Sequence, residues 1–182
     1  MPRRFMTKLL FLSLMSLGLV ALFTPAAFAA GPQQVSPQRI GCTAGYAYTN
    51  IQRTPNQLVQ IGPTYRDYNG SSKPATVTLT STVSGTVTFS VTAGFQAEAN
   101  FIFGAVKSSL NVSISVSLTA TFGNTIALSV PAKKAGYGDY GVWEVVTTGT
   151  LYYVTISCQY TYLGTVQFFG PSYVGWTTWI GN

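Results

Sequence analysis

The chain has no histidine, and its only carboxylates are Asp67, Glu98, Asp139 and Glu144. Ser-His-Asp and Cys-His nucleophilic catalysis are therefore excluded by composition. Glycoside hydrolysis needs two carboxyl groups about 5–9.5 Å apart, and no motif pairs any two of the four. No Ser-x-x-Lys stands in the sequence for a Ser–Lys dyad, and no glycine-rich Walker loop is present to hold phosphate. A zinc site needs clustered His or Cys, and the chain has two cysteines, Cys42 and Cys158, far apart. Asp67-x-Asn69-Gly70 resembles the opening of a calcium loop, but the remaining acidic ligands are missing, and it reads as a plain turn. The residues thus point to a non-enzyme with neither cofactor nor metal.

Aromatic residues are the other chemically useful set, at 14% of the chain. Most are expected in core and cross-strand packing. Tyr173, Trp176 and Trp179, in a Gly/Thr-rich tail, are the candidates for a surface where Tyr and Trp stack on sugar rings or sit at lipid headgroups.

Arg3, Arg4 and Lys8 precede an apolar run, Leu9–Phe23, and the small-residue stretch Thr24–Ala30. This is the pattern of a secretory signal peptide over residues 1–29, cleaved after Ala29. Residues 30–39 predict a flexible leader, and residues 30–182 as a whole a single secreted, extracellular β domain. Once the signal is removed, seven basic residues stand against four acidic ones, a net charge of +3 spread along the chain. That is too weak and too dispersed for nucleic acid. Charged residues are 8% of the chain, against a usual ~25%, so hydroxyl and amide side chains must supply the polar surface. In an exported chain Cys42 and Cys158 are expected to form a disulfide. It would close a loop of about 115 residues and contribute up to roughly 4–5 kcal/mol.

These residues must be positioned by strands. Short strands are expected over 40–48 and 58–61, with a turn at Pro55-Asn56. The dominant feature is residues 75–130. From Ala75 to Phe103 apolar side chains hold odd positions, with Thr and Ser between them. From Leu110 to Val130 they hold even positions. A side-chain period of two gives each arm one apolar and one hydroxyl face. Matching those faces in a hairpin requires opposed residue numbers of opposite parity. Either Gly104-Ala105 forms a two-residue turn, or a loop from Gly104 to Ser109 sets Phe103 opposite Leu110; the loop preserves the alternation better. The competing reading is a helix over 95–109, with Phe95, Ala99, Ile102, Val106 and Leu110 near one face, against which Gly104 counts. Further on, strands over 140–146 and 150–158 are expected to turn at Thr147-Thr148-Gly149. Another runs from Tyr160 to Phe168, ended by Gly170-Pro171. The class is all-β: an elongated antiparallel sheet or sandwich built around a long amphipathic Ser/Thr-rich β-hairpin.

A transmembrane strand needs about 9–11 residues of apolar-out, polar-in alternation inside a closed barrel. Both arms meet that pattern near their turn. The lipid-facing candidates are Phe89, Val91, Phe95, Phe101, Ile102, Phe103, Val106, Leu110, Val112, Ile114, Val116 and Leu118. Glu98 and Lys107 would be the charges on the lumen side. One hairpin cannot close a barrel, so copies of the chain would each contribute one. Alternation is also used in an ordinary sandwich with one wet face.

The Ser/Thr-rich arm, the amphipathic segment Phe89–Lys107, the return strand Asn111–Thr121 and the closing run Ile126–Lys134 with its Val130-Pro131-Ala132 turn together resemble the pore-forming module of aerolysin-like toxins, of the epsilon-toxin and mosquitocidal-toxin type. The resemblance covers residues 75–135. It lacks the second proline of that family's closing turn, and the chain shows no distinct receptor-binding domain. It implies a secreted β-pore-forming protein whose partners are membrane lipid and further copies of itself. Two other functions fit the composition: a β-sandwich module binding glycan or cell-wall polymer through its Tyr and Trp side chains, and a structural extracellular protein.

Overall fold

A computed structural model describes residues 42–182; the expected signal peptide and leader lie outside them. In chain order the elements are β1 (Gly45–Gln60), β2 (Tyr65–Tyr68), β3 (Ala75–Thr80), β4 (Gly85–Thr88), β5 (Ser90–Val91), a 3-10 turn (Gln96–Glu98), α1 (Ala99–Leu110), β6 (Ser117–Ala120), β7 (Thr125–Val130), β8 (Ala135–Val154) and β9 (Tyr160–Gly181). Strands dominate and pair antiparallel throughout, as the all-β expectation required.

The longest strands lie outside the hydroxyl-rich stretch. β8 and β9 form a hairpin of 20 and 22 residues, paired from Ala135–Gly181 to Val154–Tyr160. The main sheet runs β1-β8-β9-β5, with β2 also on β8. The turn expected at Thr147-Thr148-Gly149 is instead continuous strand. Gly149 is there for packing: a Cβ would come within 2.5 Å of the Tyr48 ring, whose hydroxyl donates to Val166 O at 2.8 Å. Pro55-Asn56 likewise does not break β1. One extra residue is absorbed between Thr54 and Gln57, and another between Thr49 and Gln52, which are bulges of the kind an edge strand tolerates. Gly170-Pro171 sits inside β9 beside a register shift at Trp143/Glu144.

The core changes face near that shift. Toward the open end of the hairpin, Tyr140 and Val142 are buried with Ala120, against Val87, Leu118, Ile61 and Trp176. Toward its closed end the buried residues are Val145 and Leu151, with Val166, Phe168, Tyr48, Ile102, Val106 and Ile114. Alternate strand residues point to opposite faces, so even-numbered β8 residues serve one cluster and odd-numbered ones the other. β4 and β6 cover the first. α1 covers the second. The linking segments pass along the edge of β9, where Thr92 N donates to Gln167 O at 3.0 Å and Ser115 N to Pro171 O at 2.8 Å.

Candidate functional site

The two hydroxyl-rich arms pair, but in two separate ladders. β3 pairs β7 from Ala75–Val130 to Thr80–Thr125, and β4 pairs β6 from Gly85–Ala120 to Thr88–Ser117. Moving thirteen residues inward along each arm from Ala75–Val130 arrives at Thr88–Ser117, so both ladders keep one register. Opposed residues have opposite parity, as the alternation demands. Between the ladders each arm makes an equal excursion, 81–84 and 121–124, held together at Ser81. This buried serine donates from N to Asn124 O and accepts from Gly123 N, each at 2.9 Å, while its Oγ donates to Thr121 O at 3.1 Å.

Past Thr88 the same register takes one more step, with Phe89 N donating to Val116 O at 3.0 Å. The arms then part. The expected hairpin over 95–110 is a helix in this structure, and neither expected turn forms. An isolated two-stranded ribbon is marginal in water. As a helix, the segment brings Ile102 and Val106, one turn apart, onto the apolar face of β8 and β9, where both are fully buried. That tertiary gain overrides the cost of Gly104. Phe103 packs on Phe89 (5.0 Å between ring centroids) and Phe168 (6.1 Å). Phe95 lies over Gly164, where a Cβ would come within 2.6 Å of its ring. Asn111, in the left-handed conformation at φ 49°, ends the helix.

The candidates for lipid contact are mostly sheltered here. Ile102, Val106 and Ile114 are buried, and Phe89, Val91, Phe95, Phe103, Leu110 and Val112 pack around them. Leu118 joins the other cluster. Phe101 and Val116 are exposed. Glu98 precedes α1 and accepts a hydrogen bond from Tyr46; that bond first, and the carboxylate charge second, hold the phenol pKa above its usual value. Tyr46 also meets Phe101 at 5.9 Å between centroids. Lys107 lies 5.9 Å from the centroid of Phe103. Among the described residues no helix is long and apolar enough to cross a membrane, which says nothing of strands.

Other sequence candidates are dispersed. Cys42 and Cys158 form the expected disulfide, with Cα atoms 5.2 Å apart. Tyr173 and Trp179 are exposed and stack on Trp143 and Tyr137 across the strand pair. Trp176 is not a surface platform. It faces the other way, 4.9 Å from Tyr140 and 5.4 Å from Tyr65 between centroids, and donates to Asn124 Oδ1 at 2.7 Å. Asp139 accepts from Thr64 Oγ1 at 2.6 Å and Gln60 Nε2 at 3.0 Å. Among the described residues no three of His, Cys, Asp and Glu gather into a metal-binding group. Sequence reasoning passed over the closed end of the β8–β9 hairpin, where Ile156, Tyr160 and Tyr162 are strongly exposed. The available signal was the absence of any charged side chain from Val145 to Asn182.

No protein-family model matches the chain, and no curated protein matches it in sequence. Among solved structures it is similar to the crystal structure of parasporin-2, a Bacillus thuringiensis toxin that recognizes cancer cells. The overlay has 16% identity and a TM-score of 0.29, covering 78% of this chain and 73% of that one. The likeness is a loose one, and the functional reading below is built on the chain's own residues.

Proposed function

We propose that this chain is an exported, non-catalytic, toxin-like protein that associates with a membrane, assembles with copies of itself and inserts residues 89–116 as a β-hairpin. The observation that supports this is the shared register of the two ladders. Continued inward, it places Val91 opposite Ile114, Phe95 opposite Leu110 and Glu98 opposite Lys107, with its apex at Ile102-Phe103. Apolar side chains then fall on one face of the ribbon. The only two charges of the segment meet on the other, as an opposed pair of the kind that stabilises a sheet. The arms, 89–101 and 104–116, each have more residues than the about 9–11 a transmembrane strand requires. The helix is thus a stored form of a ribbon whose base is already zipped.

Cysteines at Glu98 and Lys107 test the register. In the folded chain the two positions are separated by nine residues of helix, about 13 Å along its axis, beyond the ~7 Å limit for a disulfide. In the hairpin they oppose each other as a non-hydrogen-bonded pair, where side chains lie closest. The Glu98→Cys/Lys107→Cys double variant should cross-link under mild oxidation only after incubation with vesicles, and the wild-type protein should release trapped dye from them. No dye release by the wild type, or a cross-link independent of vesicles, would sink the reading.

A further inference from the structure

We infer that the closed end of the β8–β9 hairpin is a lipid-docking tip that seats the protein in the headgroup layer of an uncharged bilayer. Ile156 stands at the apex with 75% of its surface exposed, and Tyr160 and Tyr162 below it are 63% and 59% exposed. Tyr153, Leu163 and, from β1, Tyr46 complete the exposed apolar collar. Tyr152 wedges edge-on against Tyr160 and Tyr162 at 6.0 and 5.9 Å between centroids, so the phenols are supported from within the ribbon. The apex is rigid. Thr155 N donates to Gln159 O and Cys158 N to Thr155 O, both at 3.0 Å, and the Cys42–Cys158 disulfide ties the loop to the chain entering β1.

Composition selects the partner. No Asp, Glu, Lys or Arg occurs between Val145 and Asn182, or between Cys42 and Gln52. Charges of both signs, Asp67 and Asp139 among them, collect instead at the open end of the hairpin, with cations in excess. There Arg66 bonds the Tyr137 hydroxyl, Lys133 donates to Gly70 O, and Lys73 and Lys134 lie in the adjoining turns. Twenty strand residues separate the ends, about 65 Å at ~3.3 Å per residue. An end whose own strands carry no charge, with an aliphatic apex, a phenolic collar and the single carboxylate of Glu98 beside Tyr46, matches a planar amphipathic surface. The aliphatic group enters the acyl boundary while tyrosine hydroxyls remain among headgroups. The tip also carries the stored hairpin: Tyr46 in its collar packs on Phe101 at 5.9 Å between ring centroids, with Glu98 beside it. Docking would therefore bring residues 89–116 to the bilayer, although docking itself does not depend on their insertion.

The test is co-sedimentation of the full chain with vesicles of pure phosphatidylcholine, alongside dye release from the same vesicles. Ile156→Asp puts a charge at an already solvated position, and binding should fall about ten- to a hundredfold, the equivalent of losing one buried aliphatic side chain. Trp179→Ala removes an exposed aromatic at the other end and should bind as the wild type does. Binding of Ile156→Asp equal to wild type overturns the inference. So does a wild-type chain that ignores pure lipid and binds only vesicles bearing glycan. Wild-type binding without dye release would leave the tip standing and refute insertion; dye release unaffected by Ile156→Asp would do the reverse.

Discussion

Glu144 sits where the core changes face, opposite Gln57 on β1 and Pro171 on β9. Burial strips water from its carboxylate and pushes its pKa above the usual value. A raised folded-state pKa means that the folded protein holds a proton which the unfolded chain has released. Stability is therefore fully present below the ordinary glutamate range and is lost as pH rises through the folded pKa. Thermal melts at about pH 3 and about pH 8, on either side of the range of an ordinary glutamate, should show this. Glu144→Gln should raise the melting temperature at the higher pH and flatten the dependence. An unchanged pH profile in that variant would mean that the carboxylate is not what the profile reports. At the same scale, parity separates the tail aromatics. Tyr173 and Trp179 share odd numbers on a stretch of β9 without a bulge, and Trp176 is even. Alternation alone thus distinguishes the half-buried indole from the exposed pair, although composition treats all three alike.

At the scale of the element, α1 is a poor helix held by its surroundings. It has 12 residues and no side-chain N-cap bond, a length marginal for an isolated helix. Gly104 stands in its middle, and a Cβ there would meet nothing within 4 Å. Gly104→Ala should stabilise the helix by about 1 kcal/mol and raise the melting temperature by roughly 3 °C. On the proposed function it should also slow dye release. A lower melting temperature would contradict the packing described. The parity of both arms, and hence the matching of their faces, was legible in the sequence because a strand's period is local. The state of residues 95–110 was not. The partners that decide it, Leu151, Val166 and Phe168, lie some forty or more residues downstream. Gly149 misled for a related reason: a glycine needed to admit a distant ring looks, in sequence, like a turn.

For the whole molecule, one covalent link joins the entry of β1 to the β8–β9 loop across a sequence separation of 116. Reducing it should cost about 2–5 kcal/mol, mainly through the freedom restored to the unfolded chain. The loss is read as a lower denaturant midpoint with the far-ultraviolet spectrum intact. A midpoint indifferent to reductant would show that the unfolded chain gains little from the cut.

The change of face in the core bears on how this protein opens. Each half of the long ribbon has its own cover, so the cover formed by α1 can detach while the other remains in place. Such a molecule has at least two cooperative units with different opening energies. Backbone amides of α1 should exchange with deuterium well before those in the middle of β8 and β9, at denaturant concentrations too low to melt the protein. During that partial opening the stripe of Tyr48, Val145, Leu151, Val166 and Phe168 lies bare. Water is a poor neighbour for it, so a second molecule in the same open state should lengthen the open lifetime. Exchange at α1 should therefore quicken as protein concentration rises.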